Sequence, residues 1–256
     1  MLRVLSTVRV LAHNGPVRIE LARWNGRLVV TKRVLGVSAQ LAERLEREAA
    51  VAGRLKHRNI VSLLAVHDDT LVYDYCPGIN LADLIDDVRL KTARVLEIMD
   101  GVLAALEFAH AQGVIHLDVK PANILIRGRL AMLTDFGFAK DLALANITGE
   151  HSLLGTPGYM APEQFRGVRN DPRSDVFSAA AVFYHMLAGQ PPYGRDALRF
   201  LAGDDSLQLR QLEGGLAVWN AVVQTALERD PARRIQSAAD FRAALRSVQV
   251  PTGITA

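Results

Sequence analysis

Hydrophobic and polar positions alternate along residues 1–35, which is the pattern of strands that bury one face. An Asn25-Gly26 pair interrupts the alternation, and this dipeptide is a strong signal for a β-hairpin. From residue 38 to 55 apolar residues recur every three or four positions, so one face of a helix is predicted there. Two strand-like runs, 60–66 and 71–75, complete a β-rich first part of the chain.

The chain beyond residue 76 has mostly helical periodicity. Pro77-Gly78 marks the change. The segment 174–188 is apolar on nearly every face, which predicts a buried central helix. Further helices are predicted over 92–111, 217–228 and 237–247, and a short hairpin over 124–126 and 130–133 with its turn at Arg127-Gly128.

Composition fits one folded globular domain. Half of the 256 residues are hydrophobic, and the net charge of +3 comes from dispersed arginines without a basic stripe, which argues against nucleic-acid binding. The single cysteine, Cys76, excludes an intrachain disulfide. The longest apolar run, 176–189, is too short for a membrane span, and the N-terminus lacks the apolar core of a signal peptide. We therefore expect a cytoplasmic protein.

The chemistry is concentrated in His116-Leu117-Asp118-Val119-Lys120-Pro121-Ala122-Asn123 and in Asp135-Phe136-Gly137. Two carboxylates, an amide and a lysine are what phosphoryl transfer from a magnesium nucleotide requires. The first segment resembles the protein kinase catalytic loop, H-R-D-x-K-P-x-N, and the second resembles the D-F-G motif of the same family.

The resemblance covers about residues 8–247 and is closest to bacterial eukaryotic-like (Hanks-type) serine/threonine kinases. It implies an α+β, bilobal protein-kinase-like fold in one kinase domain. A small β-rich N-lobe with one helix would cover residues 1–76, a larger α-helical C-lobe 77–248, and a tail 249–256. The implied activity is transfer of the γ-phosphoryl of ATP to a serine or threonine of a protein substrate.

The resemblance also assigns the reacting groups. Asp118 would be the catalytic base, and Lys120 would contact the γ-phosphate, as is typical of serine/threonine specificity. Asn123 and Asp135 offer the hard oxygen ligands that Mg²⁺ prefers, and Mn²⁺ is also an expected metal.

The nucleotide pocket is expected around Lys32 and Glu48. Glu48 lies in the apolar stripe of a predicted helix, where a carboxylate is costly unless it is paired. The resemblance pairs it with Lys32, which would contact the α- and β-phosphates. Tyr73 would close the back of the pocket, and the remaining expected nucleotide-binding positions are Leu11, Ile19, Val30, Asp74, Cys76 and Leu125.

Four further residues are expected to support the site or the substrate platform. The segment 155–163 ends in Ala161-Pro162-Glu163 and resembles the end of a kinase activation segment. Within it, Thr156 would support Asp118 and Lys120, and Glu163 would pair with Arg234. Asp175 would hydrogen-bond to the backbone of the catalytic loop.

Three positions depart from the kinase pattern. The three glycine positions of the glycine-rich loop fall on Ala12, Asn14 and Val17, and side chains there hinder approach of the backbone to phosphates. Val30 replaces the usual alanine above the adenine ring. Leu117 replaces the arginine that joins an activation-loop phosphate to the catalytic site, which predicts activity without phosphorylation of Thr148 or Ser152.

Two other functions remain open from the sequence. A pseudokinase, acting as a binding or scaffold module, is suggested by the altered glycine-rich loop and by Val30. A small-molecule phosphotransferase would share the base, the amide and the metal-binding carboxylate, but a protein-substrate platform at 155–163 would serve no small acceptor. The oligomeric state and the substrate protein are not specified by these motifs.

Overall fold

The computed structural model describes residues 5–14, 16–35, 39–136, 140–141 and 156–249. The first part is a five-stranded antiparallel sheet in the order β1-β2-β3-β5-β4. A helix, α1 (Ala39–Arg54), lies between β3 and β4 in sequence and packs Leu45 against Val34 and Leu71 of the sheet. The strands are β1 (Leu5–Asn14), β2 (Val17–Trp24), β3 (Arg27–Val34), β4 (Leu63–His67) and β5 (Thr70–Asp74).

The second part is mainly helical. Its helices are α2 (Leu81–Asp87), α3 (Thr92–Ala111), α4 (Pro162–Phe165), α5 (Arg173–Ala188), α6 (Ala197–Leu201), α7 (Asn220–Ala226) and α8 (Ala238–Ser247). Short strands accompany them: β6 (Ile79–Asn80), β7 (Val114–Ile115), β8 (Ile124–Arg127), β9 (Leu130–Leu133) and β10 (Lys140–Asp141). A β-rich part beside a helical part confirms the predicted α+β, bilobal arrangement.

Helix α5 is the centre of the larger part. All but three of its 16 residues are buried, in agreement with the prediction from its apolar composition. Helix α3 packs beside it, and the aromatic rings of Phe183, Trp219 and Phe241 join α5 to the C-terminal helices. This core supports the catalytic loop, which contacts α5.

Most predicted elements are confirmed, and the differences are local. The turn between β8 and β9 is Gly128-Arg129, one residue later than predicted, because Arg127 still pairs with Leu130 and Gly128 takes the positive φ of 59°. The helix predicted from residue 217 starts as a 3₁₀ helix, Gly214–Trp219, and becomes α-helical only at Asn220. Strands β1, β6, β7 and β10 and helices α2, α4 and α6 were not predicted as separate elements.

The two parts meet through backbone as well as side chains. Ile60 bridges to Leu133, and the Val61 N–H donates to the Leu133 carbonyl over 2.9 Å. Within the second part, Gly78 lets the backbone before β6 approach β8 closely, since a Cβ atom there would lie 2.0 Å from the Ile126 carbonyl oxygen. No helix among the described residues is long and apolar enough to cross a membrane.

Candidate active site

Lys32 lies at the centre of an ion-pair network that joins the two parts of the molecule. Its Nζ is 2.9 and 2.8 Å from the two carboxylate oxygens of Glu48 and 3.0 Å from Asp135 Oδ1. Burial alone would lower the pKa of Lys32, but the charges of Asp135 and Glu48 outweigh it and raise the pKa above its ordinary value. Lys32 is therefore a fixed cation, in the pairing with Glu48 that the sequence predicted.

Tyr73 completes the network from β5. Its hydroxyl donates to Glu48 Oε1 over 2.8 Å. Burial and the neighbouring Glu48 charge both raise the pKa of Tyr73, so the hydroxyl keeps its proton and remains a donor. The sequence indicated that Tyr73 closes the pocket, but no pattern in it signalled this hydrogen bond.

The catalytic loop follows β7 and takes a sharp turn at Leu117, whose φ is 64°. Asp175 of α5, fully buried, holds this turn by accepting from the backbone N–H groups of His116 and Leu117, each over 2.8 Å. Burial disfavours its charged form, but the hydrogen bond and charge of His110, with the donors at His116, keep the pKa of Asp175 below its ordinary value. The predicted contact of Asp175 with the loop backbone is present in this structure.

Asp118, Lys120 and Asn123 form one cluster. Asn123 Nδ2 donates to the Asp118 carbonyl over 2.8 Å and to Asp118 Oδ2 over 2.9 Å, and Lys120 Nζ lies 2.8 Å from the same carboxylate oxygen. Asp118 and Asn123 are buried, whereas Lys120 is partly exposed. The carboxylate is thus held in one orientation by two side chains from its own loop.

His116 is a packed residue between the loop and the metal-binding segment. Its Nδ1 accepts from the Asp118 N–H over 3.2 Å and its Nε2 donates to the Thr134 carbonyl over 3.0 Å, so both ring nitrogens are engaged. Its ring meets Phe136 edge-on at 4.5 Å between centroids. These contacts give both side chains a packing role.

Asp135 and Asn123 are the two residues from which oxygen ligands for a metal are expected. Asp135 has a positive φ of 62°, and its carboxylate accepts a hydrogen bond from Lys32 Nζ over 3.0 Å. Asn123 uses its amide nitrogen for Asp118, and no described residue hydrogen-bonds to its amide oxygen. Carboxylate and amide oxygens suit Mg²⁺ or Mn²⁺, which take their other ligands from water and phosphates. Within the described ranges no three His, Cys, Asp or Glu side chains cluster as a metal site, consistent with such a sparse donor set.

Several of the expected nucleotide-binding side chains lie on one face of the sheet or on the β8–β9 hairpin. Val30 is paired with Leu21 on one side and Tyr73 on the other, so these three side chains share a face, while Ile19 pairs with Lys32. Cys76 packs against Met132, whose strand partner is Leu125. Asp74 directs its carboxylate to Arg27 over 2.7 Å, and Leu11 is exposed on β1.

The β1–β2 hairpin forms without glycine at the three positions of the glycine-rich loop. Its strands pair as far as Asn14 and Val17, leaving a tip of only two residues, and Val17 has an ordinary φ in strand β2. Val17 therefore adopts its backbone conformation without strain, and the hindrance of its side chain to phosphate approach stays a prediction. The side chain of Asn14 and residue 15 lie outside the part of the chain that the structure describes.

Glu163 and Arg234 form the predicted buried pair. The guanidinium donates to both carboxylate oxygens, over 2.6 and 2.9 Å, and Ser174 Oγ donates to Glu163 over 2.7 Å. Arg234 is 2% exposed and also donates to the Arg173 carbonyl. The pair anchors α4 to α5 and to the segment before α8.

The predicted support of Asp118 and Lys120 by Thr156 is not seen. The Thr156 side chain is exposed and makes no hydrogen bond within the described ranges. Only its backbone carbonyl is engaged, as the acceptor for the Tyr159 N–H at the start of a 3₁₀ turn. Residues 142–155, including Thr148 and Ser152, lie outside the described residues.

Comparisons with known proteins agree with this geometry. The protein kinase domain family matches residues 13–239 of the chain. Serine/threonine-protein kinase PknB of Mycobacterium leprae is 36% identical over 218 residues, which are 79% of this chain and 35% of that protein. Serine/threonine-protein kinase PknJ of Mycobacterium tuberculosis is 33% identical over 258 residues, covering 91% of this chain and 43% of that protein.

A solved structure gives the same result for the fold. The crystal structure of the M. tuberculosis PknI kinase domain matches with a TM-score of 0.73 and 27% identity over 94% of both chains. The chain spans less than half the length of the curated relatives named above.

Proposed function

The chain belongs to the protein kinase domain family, and from this premise we propose that it is a serine/threonine kinase that transfers the γ-phosphoryl of ATP to a protein hydroxyl. The observation that carries the proposal is the assembly of Lys32, Glu48 and Asp135 in one network and of Asp118, Lys120 and Asn123 in another. A binding module without catalysis has no use for a buried carboxylate oriented by a lysine and an amide.

In this proposal Asp118 accepts the proton of the attacking hydroxyl. Phosphoryl transfer needs positioning and charge stabilisation more than covalent chemistry from the protein. Asn123 and Lys120 provide the positioning, because both fix the same oxygen of Asp118. Lys120 is the more exposed of the two, and its ammonium group can also contact the transferred phosphoryl group.

Lys32 orients the nucleotide phosphates and is itself oriented by Glu48, whose carboxylate accepts from Tyr73. Asn123 and Asp135 would hold Mg²⁺, which neutralises charge on the phosphate oxygens when bound. The adenine would lie between two groups of side chains, with Val30, Ile19 and Leu11 above it and Leu125 and Cys76 below it. Asp74 and Cys76 would contribute backbone groups. No described residue hydrogen-bonds to the backbone of Cys76, which leaves it available for this contact.

We assign residues 1–248 to one kinase domain whose lobes meet near residue 76. Glu163, Arg234 and Asp175 maintain the shape of its substrate side and do not take part in the chemistry. Thr156 belongs to the same platform by its position, immediately before the 3₁₀ turn Pro157–Tyr159.

The decisive test compares wild type with Asp118→Asn. Each purified protein is incubated with ATP, Mg²⁺ and a generic protein acceptor, and phosphorylated residues are identified by mass spectrometry. Wild type should phosphorylate serine and threonine, and Asp118→Asn should lose at least about a hundredfold in kcat. Equal phosphate incorporation by the two folded proteins would contradict the assignment.

A further inference from the structure

The peptide group that joins Leu117 to Asp118 is held at both ends by side chains. Its carbonyl oxygen accepts a hydrogen bond from Gln164 Nε2 over 2.9 Å, and its N–H donates to His116 Nδ1 over 3.2 Å. Because a peptide group is planar, fixing both ends also fixes the Cα position of Asp118. We propose that Gln164, on α4, is a positioning residue for the Asp118 carboxylate; this inference rests on the proposed kinase function.

Backbone strain explains why such a restraint is needed. Leu117 has a φ of 64°, in the left-handed region that costs a residue with a Cβ about 1–2 kcal/mol. Asp175 holds the N–H of Leu117, but this contact does not determine the rotation of the peptide that follows. Gln164 supplies the restraint on that second side of Leu117.

The orientation of the Gln164 amide is determined by its two partners. The Ala161 N–H can only donate, and it lies 3.0 Å from Gln164 Oε1. The Leu117 carbonyl can only accept, so the amide nitrogen must face it. One side chain therefore caps the start of α4 with its oxygen and holds the catalytic loop with its nitrogen.

The contact replaces a function that Leu117 cannot perform. Leucine has no charged group through which a distant phosphate could act on the loop, and its side chain is buried. Gln164 is uncharged and belongs to the helix at the end of the platform, so its restraint on the loop requires no phosphate. Asp118 is thereby oriented by residues that the folded chain already contains.

Two substitutions separate the positioning role from the capping role. Gln164→Glu keeps an oxygen that can accept from Ala161 but removes the N–H donor to Leu117. Gln164→Met removes both contacts without adding charge, and Gln208→Glu, on the exposed surface, is the control for an added carboxylate. For each protein kcat, KM for ATP and the melting temperature are measured with Mg²⁺ and the same generic acceptor.

We expect kcat to fall about tenfold to a hundredfold in both Gln164 variants, because small displacements of reacting groups have effects of this size. KM for ATP should stay within about twofold of wild type, since no nucleotide-binding group moves. Gln208→Glu should melt near the wild-type temperature, whereas both Gln164 variants should melt a few degrees lower, since each leaves the Leu117 carbonyl without its donor.

The inference is overturned if Gln164→Glu retains wild-type kcat, because only the capping role would then remain. It is also overturned if Gln164→Met retains wild-type kcat while Gln164→Glu does not, because the loss would then be an effect of the added charge. An inactive wild type would instead contradict the proposed function itself.

Discussion

Two residues with left-handed backbone, Leu117 and Asp135, flank the reacting groups. Their φ values are 64° and 62°; aspartate adopts this region more often than most residues, whereas leucine rarely does. The motifs predicted which side chains would be present, but nothing in the residue types predicted this backbone at Leu117. Strain of this kind persists only where surrounding contacts enforce it, here those of Asp175, Gln164 and Lys32.

Tyr73 should contribute to catalysis through its hydroxyl. Tyr73→Phe keeps the ring that closes the pocket but leaves Glu48 with Lys32 as its only hydrogen-bond partner among the described residues. We expect kcat/KM for ATP to fall about threefold to tenfold, the effect of one hydrogen bond of about 1 kcal/mol. Steady-state kinetics at varied ATP measures it. An unchanged kcat/KM would show that Lys32 alone orients Glu48.

Val30 should limit nucleotide affinity. Val30→Ala removes two methyl groups from the face that Leu21 and Tyr73 share, and we expect ATP affinity to rise about tenfold, or about 1.4 kcal/mol. Titration calorimetry with Asp118→Asn as the background measures binding without turnover. Val29→Ala is the matched control, because Val29 is buried on the opposite face of the sheet and should alter stability only. Unchanged or weaker ATP binding by Val30→Ala would show that the slot already accommodates valine.

At the scale of elements, periodicity predicted where helices lie better than how the hairpins are paired. The buried helix α5 and the helix α3 have apolar surfaces that the sequence displays directly. The sequence predicted that the positions of a glycine-rich loop fall at residues 12–17, but it predicted no separate strand β1. The structure pairs β1 with β2 nearly to the tip of the hairpin. Pairing of this extent depends on register between strands, which residue types alone specify weakly.

The Glu163–Arg234 pair should be essential for the attachment of α4. Removing one partner leaves a buried charge without compensation, which costs about 3–5 kcal/mol. Arg234→Met should destabilise more than Glu163→Gln, since Arg234 also satisfies the carbonyls of Glu228 and Arg173. Urea unfolding of the two single variants and of the double variant measures both values and their coupling. Additive effects would contradict a direct interaction between the two side chains.

At the scale of the whole molecule, the site depends on contacts between residues far apart in sequence. Lys32 and Asp135 are 103 residues apart, and Gln164 and Leu117 are 47 apart. Both residues of the first contact belong to motifs of a known family, so the sequence predicted that they share one site, but it predicted no direct contact between them. The second could not, because Ala161 at the start of α4 lacks the side chain of a helix-capping signature that would have drawn attention to Gln164.

Because Lys32 joins the two parts of the molecule, nucleotide bound beside it should raise the thermal stability of the fold. ATP with Mg²⁺ at about a hundredfold excess over its dissociation constant should stabilise the protein by about 2.7 kcal/mol, and so raise the melting temperature by about 5–10 °C. Asp118→Asn should show the same increase, because Asp118 is not among the proposed metal ligands. In wild type, the rise in melting temperature with ATP should be smaller in excess chelator than in Mg²⁺. In Asp135→Asn, the rise should be the same in both conditions. Thermal denaturation with ATP, in Mg²⁺ or in excess chelator, tests all three proteins. A wild type that responds equally in both would show that Asp135 and Asn123 hold no metal, and the chemistry proposed for the site would then lose its source of charge neutralisation.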